Sequence, residues 1–343
     1  MERGDIGKDG AWQAPAPARR QERDQSIRLS VAPMMDWTDR HCRSFHRALS
    51  RSAWLYTEMI TSQAIVHGDR ERLLGRGDDG DRVVLQLGGN DPLELARAAA
   101  VGASFGYAEI NLNCGCPSDR VRDGAFGACL MAEPGLVADC VAAMAGAQPL
   151  PVTVKHRIGI DRRDDYDFVA AFVARVAGAG CGRFIVHARS AWLDGLSPKE
   201  NREIPPLRYE VVHRLARDFP GIAFELNGGL SSLAAARAVA AGLAGAMFGR
   251  VAYHDPWLLT GIDGEPRDRH QVVCRMAAYL DRHRGDGVRL RHLARHLLGL
   301  YHGQPGARVW RRTLSDPAVL ERDDATVLIG ASEAIAGLGL QTA

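Results

Sequence analysis

Eight residues, Asn111-Leu-Asn-Cys-Gly-Cys-Pro-Ser118, place two amides and two thiols at the end of a short run from Tyr107 that alternates apolar and polar side chains. A strand that stops in small, turn-forming residues is how a rigid scaffold presents chemistry. Amides hydrogen-bond a polar ring edge, and a thiol can donate a proton or act as a nucleophile. A surface turn with incidental cysteines has the same composition. What separates the two readings is that other apolar runs in the chain end in the same manner. Those ends are Pro33-Met34-Met35, Glu58-Met59, Gln86-Leu87-Gly88-Gly89, Lys155, His187-Ala188-Arg189, Asn227-Gly228-Gly229 and Gly249-Arg250.

The elements that must position these groups follow from the pattern. Strands are predicted near residues 28–32, 54–57, 83–87, 108–112, 152–155, 183–186, 223–225 and 245–248. Helical periodicity falls between them, over 39–49, 92–103, 136–144, 165–177, 209–218 and 232–241. Val152-Thr-Val-Lys155 and Phe184-Ile-Val-His187 are β-branched and bounded by turns, as buried parallel strands are. Strand–helix alternation implies a parallel sheet, and eight strands over about 230 residues fit a closed (β/α)8 TIM barrel better than an open doubly wound sheet. In that fold the strand ends ring one mouth, the usual active site.

Asn227-Gly228-Gly229 and Gly249-Arg250 fall after the seventh and eighth strands, where such barrels often hold a phosphate on backbone N–H groups. Lys155 and His187 would lie further along the same ligand. A lysine beside an electron-accepting ring stabilises negative charge, and Gln86 can bond a polar ring edge. Flavin mononucleotide and a phosphorylated sugar both suit this set. No metal site is expected: Cys114-x-Cys116 lacks a second ligand pair, and His41, His46 and His67 share no motif. His292 and His296 share a helix with Arg291 and Arg295, which suits a solvated or nucleic-acid-facing surface better than a metal.

The chain has 343 residues, 46% hydrophobic and 24% charged, enough for a full core. No apolar stretch reaches the roughly 20 residues of a membrane span. Residues 1–26 are polar, without a signal-peptide core, and read as a disordered extension. Seven irregularly spaced cysteines suggest free thiols and a cytoplasmic location. The net charge is only +2, yet Arg267 to Arg312 carries eleven arginines against three acids. Strand-like runs stop near Ile262, and helical patterns follow over 272–283 and 288–301, then from Arg308 to Arg312. The expected organisation is therefore a barrel over 27–261 and a small helical domain over 262–343 that presents arginines to a polyanion.

Several long motifs occur in order: Ala32-Pro-Met-Met-Asp-Trp-Thr-Asp-Arg40, Gln86-Leu-Gly-Gly89, Gly115-Cys-Pro-Ser-Asp-Arg120, Ser197-Pro-Lys-Glu-Asn-Arg-Glu-Ile-Pro-Pro206, Arg295-His-Leu-Leu-Gly-Leu300 and Pro305-Gly-Ala-Arg-x-Trp-Arg-Arg312. With them, the chain from Leu29 to Leu328 resembles the tRNA-dihydrouridine synthases, and among these the type that modifies uridines 20 and 20a of the D-loop. The resemblance implies an FMN-bearing barrel that reduces the C5–C6 bond of uracil with NADPH. By that resemblance Pro33, Met34, Met35, Gln86, Lys155, His187, Asn227, Gly228, Gly229, Gly249 and Arg250 match flavin-binding positions. Cys116 matches the proton donor and Asn113 a contact to the target uridine. Lys199, Arg202, Arg308 and Arg311 match tRNA contacts.

The residue types suit that chemistry. Hydride addition at C6 of uracil leaves enolate-like charge towards C5 and O4, and an acid must then protonate C5. A thiol is uncharged beforehand at neutral pH, whereas a carboxyl would be ionised and repel the ring. The base must also leave its stack to reach the mouth, which calls for a cationic platform outside it. Two positions depart from the family pattern. Cys114 replaces an apolar residue and is expected to pack, and His156 replaces a threonine and is expected to alter the flavin's surroundings. Two rival readings start from the same strand ends. A small-molecule FMN barrel, like dihydroorotate dehydrogenase or an enoate reductase, leaves the basic tail unexplained. A non-catalytic RNA-binding barrel leaves Cys116, Lys155 and His187 unexplained.

Overall fold

Eight strands run parallel, each paired with its neighbour in sequence: β1 (Arg28–Val31), β2 (Trp54–Thr61), β3 (Val83–Gly88), β4 (Glu109–Cys114), β5 (Val152–Arg157), β6 (Arg183–His187), β7 (Ala223–Asn227) and β8 (Gly245–Phe248). β8 pairs with β1 and closes the barrel. The computed structural model describes residues 27–118 and 124–340. The extension over 1–26, and Asp119 and Arg120 of the fourth-strand motif, lie outside the described residues.

The outer layer is built from α1 (Arg40–Leu49), α2 (Pro92–Ala103), α3 (Pro134–Ala147), α4 (Tyr166–Ala177), α5 (Tyr209–Asp218) and α6 (Leu233–Val239), with the single turn α7 (Val251–His254) after β8. Their starts are encoded locally. Asp39, Asp91, Asp165 and Ser232 each accept a backbone N–H from the first turn of the following helix. Such a cap contributes about 1 kcal/mol. Two short helices, Ser62–His67 and Arg70–Leu74, lie between β2 and β3, where the sequence predicted none.

Every predicted strand occurs, and several run further than predicted. β2 extends to Thr61, β4 to Cys114, β5 to Arg157 and β7 to Asn227. Of the added residues, Asn113, Arg157 and Asn227 are polar and face the barrel axis near its mouth, whereas Cys114, His156 and Leu226 point outward. Along β4 the two-residue period puts Ile110, Leu112 and Cys114 into the core beneath the helices. Cys114 is wholly buried there, so its thiol packs. The described cysteines are all free thiols.

Inside the barrel, Ala32, Tyr56, Val84, Ile185 and Met247 form a separate apolar layer. Below it lies a charged floor. Arg28 pairs with Glu109 at 2.8 Å and Glu225 at 3.1 Å, and Arg183 reaches Glu225 at 2.9 Å. Removing one partner would strand a buried charge, which costs far more than an exposed pair gains.

After α7 the chain forms α8 (Arg269–His283), α9 (Leu290–Leu297), α10 (Ala307–Leu314) and α11 (Thr326–Leu340). The pattern predicted one helix over 288–301; the observed helix is shorter. A side chain at Gly299 would meet the His254 carbonyl oxygen at 2.6 Å, so α9 ends where the segment presses on the barrel. Val272, Leu280, Leu297 and Trp310 belong to the same hydrophobic cluster as the barrel's outer core. Trp310 donates through Nε1 to the Leu297 carbonyl at 2.8 Å, fixing α10 against α9. No helix among the described residues is long and apolar enough to cross a membrane.

Candidate active site

A chain of hydrogen bonds climbs from the floor to the mouth. The Thr153 hydroxyl donates to Glu109 at 2.7 Å and accepts from the Asn111 amide at 2.9 Å. Gln86 Nε2 donates to Asn111 Oδ1, and Asn113 Nδ2 donates to Gln86 Oε1, both at 2.8 Å. Glu109, Asn111 and Asn113 are alternate residues of β4, so one strand supplies three inward rungs. Gln86 is wholly enclosed with both amide heavy atoms engaged, beneath the mouth rather than at its surface.

The upper rung holds the loop that carries the thiol. Asn113 Oδ1 accepts the backbone N–H groups of both Gly115 and Cys116 at 3.0 Å. From β5, Arg157 donates through Nε to the Gly115 carbonyl at 2.9 Å. Cys116 is partly exposed, with Sγ 3.5 Å from the Ser118 hydroxyl. A thiol held on both sides by a rigid strand end, and open on its outer face, can transfer a proton to something seated in the mouth.

Around the rim the register sets the neighbours. Asn113 lies beside Lys155, Arg157 beside His187, and His187 beside Asn227. Lys155 Nζ donates to Asn227 Oδ1 at 3.1 Å, and Asn227 Nδ2 donates to the Met247 carbonyl at 2.8 Å. The next two residues bend the chain: Gly228 has φ +117° and Gly229 has φ +70°. A Cβ at Gly228 would stand 2.8 Å from His187 Cδ2, and one at Gly229 2.5 Å from Leu207 Cδ1. Tyr209 donates to the Gly228 carbonyl at 2.7 Å, holding the turn from behind. A Cβ at Gly249 would meet nothing within 4 Å. Opposite, Met34 is tied to Thr38, and the Asp36 N–H donates to Glu58 where Asp36 takes φ +64°. That bend leaves Met35 55% exposed, next to Met34 and Pro33.

Positive charge is crowded here. Desolvation, then Arg157, brings Lys155 down to about 7. Desolvation also lowers Arg157 to about 10, with Arg202 and Arg189 adding to the effect. His187 is pushed well below its ordinary value by desolvation and then by Arg157 and Lys155. Arg202 is lowered by desolvation and by Arg250. Lys155, Arg157 and Arg202 are bases that burial and neighbouring charge hold below their ordinary values, so an anion seated beside them would favour their charged forms.

Lys199 and Arg202 stand exposed on the loop after β6, and Arg250 pairs with Glu203 at 2.9 Å on the same rim. Arg308 and Arg311 are exposed on α10. They line a groove of about 540 Å³ with His302 and Gln304. Arg311 also lines an adjoining groove of about 480 Å³ with Tyr253, His254 and Arg295, which brings the basic helix next to α7 at the barrel's edge.

Two points differ from the sequence reading. His156 does not alter the mouth: it faces outward from β5, wholly buried between Phe172 and Phe184, and burial lowers it to about 4. Arg157 was not among the predicted residues, although it lies two places beyond Lys155 and therefore on the same inward face. Besides Gly115 it donates to the carbonyls of Ser190 and Asn201, both at 2.9 Å, and it is 2% exposed. Among the described residues no group of three or more His, Cys, Asp or Glu is placed to hold a metal.

A closed barrel of eight parallel strands with its reactive and cationic groups at the C-terminal mouth defines a (β/α)8-barrel enzyme architecture. The sequence profile of the dihydrouridine synthases (Dus) matches residues 30–336, and the chain belongs to this family. It is 55% identical over 298 residues to a tRNA-dihydrouridine(20/20a) synthase of Xanthomonas campestris pv. campestris, covering 85% of this chain and 89% of that protein. Relatives with the same name from Synechocystis sp. and Pseudomonas aeruginosa are 54% identical over 305 residues and 50% over 319. The first covers 87% of this chain and 91% of its own, the second 91% and 96%.

Proposed function

We propose that this protein reduces the C5–C6 bond of uridine at positions 20 and 20a of the tRNA D-loop, with FMN as bound cofactor and NADPH as reductant. The position rests on the names of relatives that match along nearly their whole length. The observation that carries the chemistry is Cys116, partly exposed and held at the mouth by Asn113 and Arg157 beside the Lys155–Asn227 pair.

The residues present suit FMN. Gly228 and Gly229 form a turn in which a side chain would collide, as close backbone approach to a phosphate requires, and open space adjoins Gly249. The crowded cations call for an anionic ligand. FMN would be held by Pro33, Met34, Met35, Lys155, His187, Asn227, Gly228, Gly229, Gly249 and Arg250, with Gln86 beneath them. The chemistry that FMN supplies when bound is hydride delivery to C6 of uracil, with NADPH as the source of the electrons.

The remaining work belongs to the chain. Asn113 orients the uracil edge while its Oδ1 fixes the Cys116 backbone. Cys116 holds a proton on Sγ and transfers it to C5, and solvent then restores the thiol. Lys155 and Arg157 supply positive charge towards the oxygen where negative charge develops. Lys199, Arg202, Arg308 and Arg311 bind phosphates of the tRNA and orient it.

The test is spectroscopic. Anaerobic NADPH should bleach the flavin absorption of the purified protein. Unmodified tRNA should then restore it, with dihydrouridine at positions 20 and 20a measured by mass spectrometry. A flavin that bleaches but ignores tRNA overturns the tRNA assignment, and a colourless protein that does not take up FMN overturns the flavin assignment.

A further inference from the structure

Among the described residues, four large apolar side chains stand exposed: Met35, Leu93, Trp192 and Ile204. Trp192 is the informative one, because half of its indole faces solvent while its backbone is pinned. Its N–H donates to Asn201 Oδ1 at 2.7 Å, and Asn201 Nδ2 donates back to its carbonyl at 2.8 Å. The residues on either side are tied to the loop after β5: Ala191 donates to the Gly159 carbonyl at 2.9 Å and Leu193 to Asp161 Oδ1 at 2.7 Å. Asn201 is fully buried, and its carbonyl is held by Arg157, the same guanidinium that holds Gly115 next to Cys116. The backbone of Trp192 is therefore held at a fixed place relative to the thiol loop, and its side chain stands about half exposed from it.

The surroundings say what covers it. Lys199 and Arg202 follow on the same loop, both exposed and neither with an ion-pair partner among the described residues. Of the acids on this stretch, Glu203 is taken by Arg250 at 2.9 Å and Glu200 accepts from the Ser197 backbone and hydroxyl, which leaves Lys199 and Arg202 free to face a phosphate. A flat apolar ring beside unpaired cations complements a molecule with flat apolar faces on an anionic backbone, and single-stranded nucleic acid has that form.

We propose that Trp192 stacks on a base of the tRNA adjacent to the uridine being reduced, taking the place of the neighbour that leaves the stack. This rests on the proposed tRNA reaction. A base beside an extruded uridine loses one stacking face, and an indole lost to solvent gains one, so a single contact satisfies both. Stacking reads no base edge, so the platform tolerates different neighbours.

Binding of unmodified tRNA to the flavin-loaded protein, measured against salt for wild type, Trp192→Ala and Trp192→Tyr, tests this. The alanine variant should bind about tenfold more weakly, with KM raised and kcat unchanged, and with the same salt slope, because no phosphate contact is removed. The tyrosine variant should recover most of the loss, and tRNA should quench indole fluorescence less in it than in wild type. A folded Trp192→Ala protein that binds tRNA as tightly as wild type overturns the stacking alone. A loss accompanied by a shallower salt slope overturns it too, since that reports displaced cations. Wild type that neither binds nor reduces tRNA overturns both this inference and the reading beneath it.

Discussion

Arg157 Nε lies 2.9 Å from the carbonyl oxygen of Gly115, so the loop bearing Cys116 hangs from the end of the adjacent strand. The same guanidinium reaches two carbonyls of the loop after β6, at Ser190 and Asn201. One buried cation thus registers the thiol loop against the loop that carries Lys199, Arg202 and Trp192. Truncating it leaves three carbonyls short of a donor, each costing about 1–3 kcal/mol if it stays dry. Arg157→Ala should lower unfolding stability in urea by about 2–4 kcal/mol and slow single-turnover reduction of tRNA by at least about tenfold. Arg157→Lys should rescue little, because a single ammonium lacks the planar fork. Full rescue by lysine would mean that charge, not geometry, is what the loop needs.

On the proposed reading, Lys155 makes FMN binding pH-dependent. Its amine titrates at about 7 in the ligand-free mouth, below the ordinary lysine value of about 10.5. With the folded pKa depressed, stability is fully present above the unfolded value and is lost as pH falls through 7, where the buried amine is forced to charge. An anionic ligand reverses that preference, so above pH 7 binding takes up a proton. The affinity of flavin-stripped protein for FMN should therefore fall between pH 7 and 9, by up to about tenfold per unit. Lys155→Met should bind more weakly and with a flat profile. An equally steep profile in that variant would place the titration on another group.

How far the site was legible before the structure depends on where its residues sit. The strands announced themselves because their first halves are β-branched and dry, as in Val152-Thr-Val154 and Phe184-Ile-Val186. Their second halves read as loops because inward polar residues near the mouth, Asn113, Arg157 and Asn227, resemble turn composition. That is also why Arg157 escaped notice: its role comes from three carbonyls distant in sequence, and only its two-residue spacing from Lys155 hinted at it. The enclosure of Gln86 between Asn111 and Asn113 depends on cross-strand register, which no local pattern encodes. The helices over 62–67 and 70–74 are too short to establish a period. Trp192 gave no signal at all, since exposure is a property of the packed molecule.

Gly228 and His187 offer a sharper test of the cradle. The φ of +117° at Gly228 is strained for any L side chain, and a Cβ there would press on His187 at 2.8 Å and on Leu207 at 2.9 Å. Strain of this kind costs about 1–3 kcal/mol. Gly228→Ala should lower the melting temperature of flavin-free protein modestly and weaken FMN binding much more, because the shifted backbone spoils the turn and displaces the ring together. Gly242→Ala, at φ +80° with nothing near its Cβ, is the control for strain alone. If both variants retain FMN equally, the turn at Gly228 does not contact the cofactor.

Where the helical segment meets α1, acid should loosen the molecule. Asp39 caps α1 and accepts from His296 at 3.1 Å and from Arg295. Its neighbours hold its carboxyl well below the usual range, so it stays ionised in mild acid. His41 bonds the Tyr279 hydroxyl at 2.9 Å, and His46 is buried against Cys42. Desolvation lowers His41 to about 4 and His46 to about 3, from an ordinary value of 6.5. Neutral forms are favoured in the folded state, so their stability is fully present above 6.5 and is lost as pH falls towards 4 and then 3. Each can contribute a slope of about 1.4 kcal/mol per pH unit inside that window. Urea unfolding at pH 7, 6, 5 and 4 should show stability falling by about 2–3 kcal/mol per unit below pH 6. His41→Asn should remove about half of that slope while leaving the pH 7 value nearly intact. A variant as acid-sensitive as wild type would move the titration elsewhere in the molecule.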